Sequence, residues 1–257
     1  MPYIKAGDLN IYYIEKGEGR PVVFVHGNWT TSTSWLPVLD RLQDGWRGIA
    51  YDLRGRGKTE GPDNDYTMSE LAADLGAFVD ALTLSRFHLV GHSLGSAIAM
   101  QFALDNLDRI ESLTIVAPAW VDGMPESLNA PEGQRALKAD KTFYGRVLRY
   151  MMPTIKDEEL FERLVDEGHE QRIEATLRNV SALLGWKPGD RLGSIADAGV
   201  PVLVVVGEQD QLTGPTASRA AQVLKASKVI IPGVGHSPNI EAPSEFVRVM
   251  FDHIRNT

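Results

Sequence analysis

Short apolar runs alternate with amphipathic stretches along the first 117 residues of the chain. Strands covered on both faces read as continuous apolar runs, and such runs occur at residues 21–25, 47–51, 88–90 and 112–117. Helices are predicted over 34–42, after a capping box at 67–70, and over the nearly all-apolar stretch 94–104. Residues 3–6 and 9–15 predict an N-terminal hairpin. This alternation predicts a parallel sheet with helices on both faces.

The alternation stops between residues 120 and 198, where apolar residues recur only at helical spacing. It returns with strands predicted at 201–206 and 228–231 and helices at 215–224 and 245–254. We therefore predict an α/β fold with a mostly parallel, doubly wound sheet. Residues 1–119 and 199–257 would form its core, and residues 120–198 an inserted helical cap. Because this insertion leaves the sheet at the strand ends where ligands bind in open α/β sheets, we interpret it as a lid.

The sequence Gly91-His92-Ser93-Leu94-Gly95 lies between a predicted strand and a predicted helix. It matches the pattern G-x-S-x-G, in which a serine at the tip of a sharp turn holds its Oγ exposed above the sheet. Glycine at the two outer positions lets the strand and helix backbones approach closely. The amide of Leu94, at the N-terminus of the helix, points toward a reacting oxygen. The pattern and its context predict a nucleophilic serine at position 93.

Two further polar residues follow predicted strands in the last third of the chain. Asp210 follows the strand 201–206, and His236 follows the strand 228–231. Because parallel strands end at one edge of a sheet, we expect Ser93, Asp210 and His236 to meet there. A histidine activates a serine hydroxyl by taking its proton, and a carboxylate orients the histidine. The three residues therefore form a candidate catalytic triad.

These motifs resemble those of the α/β-hydrolase superfamily, specifically its lidded, esterase-like members, over essentially the whole chain. The chain has the order Ser–Asp–His that is typical of the superfamily. His26-Gly27 looks like the family's oxyanion loop, and residues 52–59 are similar to its loop after the next strand. The resemblance implies a fold of the α/β-hydrolase type.

The same resemblance implies roles for several backbone and acidic groups. An oxyanion hole would be made by the backbone amides of Asn28 and Leu94, with the Trp29 amide as the alternative to the first. Some members carry the triad carboxylate after the strand that precedes the lid, which leaves Asp122 as an alternative to Asp210. Serine at position 93 separates the chain from the superfamily's dehalogenases and epoxide hydrolases, which use aspartate there.

The implied function is a serine hydrolase that cleaves carboxylic esters through an acyl-enzyme. An apolar pocket would favour short- to medium-chain or aryl esters, and its candidate residues are Trp29, Trp120, Phe143, Met151 and Leu212. The alternative is an enol-lactone or carbon–carbon bond hydrolase of aromatic catabolism, in which a basic residue of the cap holds a substrate carboxylate. A lyase, a perhydrolase and a ligand receptor on the same scaffold rank after these.

Composition narrows the function classes further. The 257 residues carry a formal net charge of −8, which argues against a nucleic-acid partner, and the lack of cysteine excludes disulfides and thiolate sites. No metal-ligand pattern or nucleotide-binding glycine loop is present, so we expect no metal and no cofactor, and a small-molecule ester as the partner. No apolar run reaches the ~20 residues of a membrane span, and no signal-peptide pattern opens the chain. We expect a cytoplasmic protein, either a monomer or a homodimer.

Overall fold

A single sheet carries the strand ends at which the candidate residues lie. The computed structural model describes residues 3–61 and 66–255, and their strands are β1 (Tyr3–Ala6), β2 (Leu9–Lys16), β3 (Arg20–Val25), β4 (Trp46–Tyr51), β5 (Phe87–His92), β6 (Ile110–Val116), β7 (Val202–Gly207) and β8 (Ser227–Ile231). The sheet order is β1-β2-β4-β3-β5-β6-β7-β8. The β1–β2 and β2–β4 pairs are antiparallel, and every pair from β4 across to β8 is parallel. The mostly parallel α/β sheet is therefore confirmed. Residues 1–2, 62–65 and 256–257 of the predicted core lie outside the described residues.

Helices cover both faces of this sheet. They are α1 (Leu36–Leu39), α2 (Met68–Ala81), α3 (Leu94–Asp105), α4 (Pro131–Ala139), α5 (Lys141–Met151), α6 (Glu158–Glu170), α7 (Ile173–Gly185), α8 (Gly193–Asp197), α9 (Ala217–Val223), α10 (Pro238–Glu241) and α11 (Pro243–Arg255). In β3, Val23 and Val25 pack in the apolar cluster that contains α2 and α3, while Val22 and Phe24 pack in the cluster that contains α11. Alternate side chains of one strand are thus buried on opposite faces, which explains the continuous apolar run in the sequence.

Local hydrogen bonds decide where two of the helices begin and end. The capping box is present, since Thr67 Oγ1 accepts from the Glu70 amide and the Glu70 carboxylate accepts from the Thr67 amide at 2.8 Å. The helix predicted over 34–42 is wrong in extent, because a 3₁₀ turn at Ser32–Trp35 precedes the short α1. The Ser34 hydroxyl donates to the Thr31 carbonyl at 2.8 Å. Such local side-chain bonds compete with a regular helix.

Residues 120–198, hereafter the helical segment, connect β6 to β7. This stretch, all of it described, contains α4 to α8 and no strand. Helices α5 and α6 pack through an apolar cluster of their own that includes Tyr144, Leu148 and Leu164. Residues of α7, among them Val180 and Leu183, join the larger cluster on one face of the sheet. The segment therefore packs both on itself and on the core. No helix in the described part of the chain combines the length and the apolar character needed to cross a membrane.

Candidate active site

Ser93 occupies a strained turn between β5 and α3. Its φ of 52° and ψ of −118° lie in a region that non-glycine residues rarely adopt, and such strain is characteristic of functional sites. A Cβ on Gly91 would lie 2.3 Å from the Gly95 carbonyl oxygen, and a Cβ on Gly95 would lie 2.3 Å from that of Val25. The two glycines are therefore required by the close approach of β3, β5 and α3, as the motif predicts. Ser93 itself is partly exposed between buried neighbours.

His236 and Asp210 are joined by a hydrogen bond of 3.0 Å between Nδ1 and Oδ2, and both side chains are buried. Asp210 also accepts bonds from the amides of Leu212 and Thr213, at 2.9 and 3.1 Å, and from the Thr213 hydroxyl at 2.7 Å. Burial opposes ionisation of Asp210, but the bonds from His236 and Thr213 outweigh it and hold its pKa well below the usual range. The carboxylate fixes a proton on His236 Nδ1, which leaves Nε2 free to accept one.

His92, immediately before Ser93, holds His236 beside the turn. Its Nε2 donates to the His236 carbonyl at 2.9 Å, and the two rings lie 5.1 Å apart. The His236 amide also donates to the Met151 carbonyl of α5 at 2.8 Å. Burial, together with the nearby His236, lowers the pKa of His92 to about 3. His92 is therefore neutral and positions the backbone of His236.

His26 fixes the peptide that precedes the Asn28 amide. The Leu53 amide donates to its Nε2 at 3.1 Å, so Nδ1 carries the proton and donates to the Gly27 carbonyl at 2.8 Å. The Thr30 hydroxyl donates to the same carbonyl at 3.0 Å. In a trans peptide the N–H points away from the carbonyl, so these two bonds aim the Asn28 amide to the opposite side. A Cβ on Gly27 would lie 3.3 Å from Ser93 Cβ, which places this loop directly against the turn.

The two acidic candidates have different surroundings. Asp122 is more than half exposed and forms an ion pair with Arg219 at 2.8 Å. Asp210 is buried and bonded to His236. The structure therefore brings Asp210, and not Asp122, to the histidine.

The predicted pocket residues are dispersed. The Met151 carbonyl accepts from His236, and the Leu212 amide donates to Asp210. The ring of Trp29 lies 5.1 Å from that of Tyr144, and Trp120 is half-buried against the large apolar cluster. Phe143, however, is 39% exposed.

Phe143 faces away from the apolar cluster of the helical segment, and its assignment to a pocket stays a prediction. Tyr144 and Leu148, four residues apart, face the apolar cluster of the helical segment, and this directs Phe143 of the same helix toward solvent. There the guanidinium of Arg146 lies 6.0 Å from its ring.

Known proteins share both the sequence pattern and the fold. The sequence profile of the Alpha/beta hydrolase family matches residues 22–249, which include Ser93, Asp210 and His236. This chain belongs to the alpha/beta hydrolase family. The membership predicted from the motifs is thereby confirmed, and the family and its relatives support a hydrolase activity.

Several known proteins are similar to this chain over almost their whole length. RutD of Agrobacterium fabrum, for which a carbamate hydrolase activity has been proposed, is 31% identical to this chain. The match covers 89% of this chain and 90% of RutD. The structure of an N-acyl homoserine lactone degrading enzyme is 29% identical, with a TM-score of 0.81 over 98% of this chain and 99% of its own. The enol-lactonase from Burkholderia xenovorans, at 24% identity and a TM-score of 0.82 over 99% and 100% of the two chains, shows the shared fold alone.

A polar cluster that the sequence pattern does not predict lies between the expected oxyanion loop and the helical segment. Its centre is Arg56, whose guanidinium donates to the side chains of Asn28, Gln171 and Thr176. An arginine in a polar loop carries no signal of burial, and its partners lie 28 to 120 residues away. Within the described ranges, no three His, Asp or Glu side chains cluster as metal ligands would.

Proposed function

We propose that this alpha/beta hydrolase is a serine hydrolase that cleaves carboxylic esters through an acyl-enzyme. Ser93 is the nucleophile, His236 the general base, and Asp210 the carboxylate that orients the histidine. The observation that carries the proposal is the buried hydrogen bond between Asp210 and His236. His236 is also held by His92, the residue next to Ser93, whose φ is positive. That arrangement would supply a base with a fixed tautomer for the hydroxyl of the partly exposed Ser93.

The reaction follows from these positions. His236 Nε2 takes the hydroxyl proton as Ser93 Oγ attacks the acyl carbonyl, and the negative oxygen that forms accepts bonds from the amides of Asn28 and Leu94. The protonated histidine then gives its proton to the leaving alkoxide, so that the alcohol departs and the acyl group stays on Ser93. Water, deprotonated by His236, then attacks the acyl carbon. The bond from that carbon to Ser93 Oγ breaks, Oγ takes the proton back from His236, and the acid is released.

The helical segment is the lid of this site in our proposal. Three of its contacts support the assignment, because each joins it to residues beside the proposed triad. The Tyr144 hydroxyl donates to the Trp29 carbonyl at 3.0 Å, the Gln171 amide donates to the Thr30 carbonyl at 3.0 Å, and the Met151 carbonyl accepts from His236. A small-molecule substrate would bind between this segment and the strand ends, where the segment limits access of water.

Cyclic esters are a second candidate class of substrate. The observation that favours them is the 29% identity, over almost the whole chain, to an enzyme that degrades N-acyl homoserine lactones. The same steps open a lactone, except that the leaving alkoxide stays attached to the acyl group. Enol-lactones, which have a better leaving group, belong to the same test.

A series of p-nitrophenyl esters from acetate to dodecanoate tests the proposal on the wild type, Ser93→Ala and the exposed-serine control Ser69→Ala. We expect turnover by the wild type and the control, and none by Ser93→Ala, because Oγ supplies chemistry and not packing. Circular dichroism and thermal unfolding establish that Ser93→Ala is folded. Turnover retained by pure Ser93→Ala would refute the assignment of Ser93 as the nucleophile. Lactones are assayed in the same way with the same three proteins.

A further inference from the structure

Arg56 is a fully buried cation with neutral partners only. Its Nη1 donates to Gln171 Oε1 and, at 2.7 Å, to Thr176 Oγ1, and its Nη2 donates to Asn28 Oδ1. Its Nε is buried with no hydrogen-bond partner, and in the described part of the chain no carboxylate pairs with the guanidinium. Arg54, two residues earlier, instead makes a two-pronged ion pair with Asp74. Burial lowers the pKa of Arg56 to about 10, so it remains charged at neutral pH.

Asn179 supplies a second, independent group that lacks partners. It lies on α7 one turn after Thr176, the residue bonded to Arg56, so the two share a face of the helix. It is fully buried, and neither its Oδ1 nor its Nδ2 has a hydrogen-bond partner in the described residues. Buried polar groups are nearly always paired. Arg56, a buried cation with an unpartnered Nε, is thus bonded to Thr176, and the unpaired amide of Asn179 lies one helical turn further along the same face. We infer that this part of the molecule has a place for a polar, negatively charged group.

This place adjoins the proposed reaction centre through Asn28. The side chain of Asn28 accepts from Arg56, while its backbone amide is the proposed oxyanion donor. The preceding Gly27 lies against Ser93, as its Cβ contact of 3.3 Å shows. The guanidinium is therefore one side chain away from the loop that would bind the substrate carbonyl. A charge recognised there would sit on the substrate a few atoms from the reacting ester.

We propose that Arg56 and Asn179 recognise a carboxylate on the substrate, so that the preferred substrates are half-esters of dicarboxylic acids or lactones that carry a carboxylate. This inference rests on the proposed function, since it assigns the substrate class of the same site. The substrate carboxylate accepts from Arg56 Nε and from the Asn179 amide, and it can replace Asn28 or Gln171 as an acceptor of the Nη groups. Arginine suits this task because its planar fork matches a carboxylate.

Protection of Ser93 from an uncharged fluorophosphonate tests the inference without requiring turnover. The rate of labelling is measured against the concentration of glutarate and of its neutral diamide, glutaramide, with the wild type, Arg56→Met, Arg56→Lys and Asn179→Leu. Arg178→Met is the matched control, because it removes the same charge from an exposed position on α7. Thermal unfolding establishes that each variant is folded.

We expect glutarate to protect the wild type and Arg178→Met at concentrations about tenfold to a hundredfold lower than glutaramide. Arg56→Met should abolish this difference, Arg56→Lys should keep part of it, and Asn179→Leu should reduce it. If Arg56→Met does not fold, the comparison of Arg56→Lys and Asn179→Leu with the wild type decides.

The outcomes separate the two proposals. Failure of the fluorophosphonate to label Ser93 in the wild type would refute the proposed nucleophile. Labelling with no preference of the wild type for glutarate over glutaramide would overturn the carboxylate site and leave the nucleophile in place. A preference that survives in Arg56→Met would place the carboxylate elsewhere and overturn the role of Arg56.

Discussion

Asp210 and Arg56 are both buried charges, yet their surroundings are opposite. Asp210 accepts four hydrogen bonds, one from His236 and three from the two residues Leu212 and Thr213, and its charge is fully met within the fold. Arg56 has only neutral acceptors and an unpartnered Nε. An unpaired buried charge is costly. In our proposals, Asp210 therefore needs no further partner, whereas Arg56 would gain one from the substrate. The proposed role of Asp210 is preorganised chemistry, and that of Arg56 is substrate recognition.

The two charges also differ in how they are held. Leu212 and Thr213 lie two and three residues after Asp210 in the chain, so a local turn supplies most of its partners. The partners of Arg56 come from the oxyanion loop and from the helical segment. The Asp210 arrangement therefore depends on one loop, whereas the Arg56 cluster depends on the packing of the helical segment against the core.

Asp210→Asn is expected to have the largest effect on kcat, because it removes the buried carboxylate charge that accepts the hydrogen bond from His236. An asparagine can hold His236 in the wrong tautomer, and the loss in kcat known for such a change is about 10⁴-fold. Steady-state kinetics on the best ester of the p-nitrophenyl series measures it. Asp122→Asn is the matched control and should stay within about twofold of the wild type, since surface ion pairs contribute little. A larger loss in Asp122→Asn than in Asp210→Asn would transfer the acid role to Asp122.

Acid should destabilise the protein through the buried histidines beside Ser93 and the oxyanion loop. The pKa values of His26 and His92 are lowered from 6.5 to about 3 by burial. Between pH 3 and pH 6.5 the unfolded chain binds more protons than the folded protein. The contribution of the two neutral histidines to stability is therefore complete above pH 6.5 and is lost as the pH falls toward 3. The slope is at most about 1.4 kcal/mol per pH unit for each histidine.

Denaturant unfolding between pH 7 and 4.5 measures this slope. His92→Gln can still donate to the His236 carbonyl but cannot titrate, so its free energy of unfolding should fall less steeply with pH than that of the wild type. Ser69→Ala serves as the control and should keep the full slope. Equal slopes for the wild type and His92→Gln would show that His92 does not titrate on unfolding in this range.

Gly168→Ala tests how closely the helical segment must pack on the oxyanion loop. A Cβ there would lie 2.1 Å from the Tyr144 hydroxyl and 2.6 Å from the Trp29 carbonyl oxygen. We expect a loss of about 1–3 kcal/mol in the free energy of unfolding, because the added methyl group would overpack this contact. Gly145→Ala, whose Cβ would come no closer than 3.7 Å to Val165, is the matched control and should be neutral or slightly stabilising. Chemical denaturation of both variants measures the difference, and equal stabilities would contradict the tight contact.

Phe143→Ser is expected to have the smallest effect. The side chain is exposed on α5 and contacts neither His236 nor the Arg56 cluster in the described structure. The free energy of unfolding should change by less than about 0.5 kcal/mol, and kcat/KM on neutral esters by less than about twofold. A large rise in KM for longer acyl chains would instead support the assignment of Phe143 to the substrate pocket.

The sequence by itself determined the parts of this protein that depend on local pattern. Apolar runs identified the parallel strands, and the capping box identified the start of α2. The two glycines around Ser93 identified the turn, because the motif that contains them is local, although Gly95 meets Val25 of the distant strand β3. The positions of Asp210 and His236 after strands were enough to expect them at one edge of the sheet.

Only the tertiary structure decided which side chains meet across distant parts of the chain. Asp122 and Asp210 both follow strands, and packing alone pairs one with Arg219 and the other with His236. Phe143 and Tyr144 are neighbours on one helix, and the direction in which α5 faces buries only Tyr144. Arg56 lies in a polar loop, and it is buried because the helical segment closes over it. Periodicity specifies which residues share a face, but the partner that covers the face is set by long-range packing.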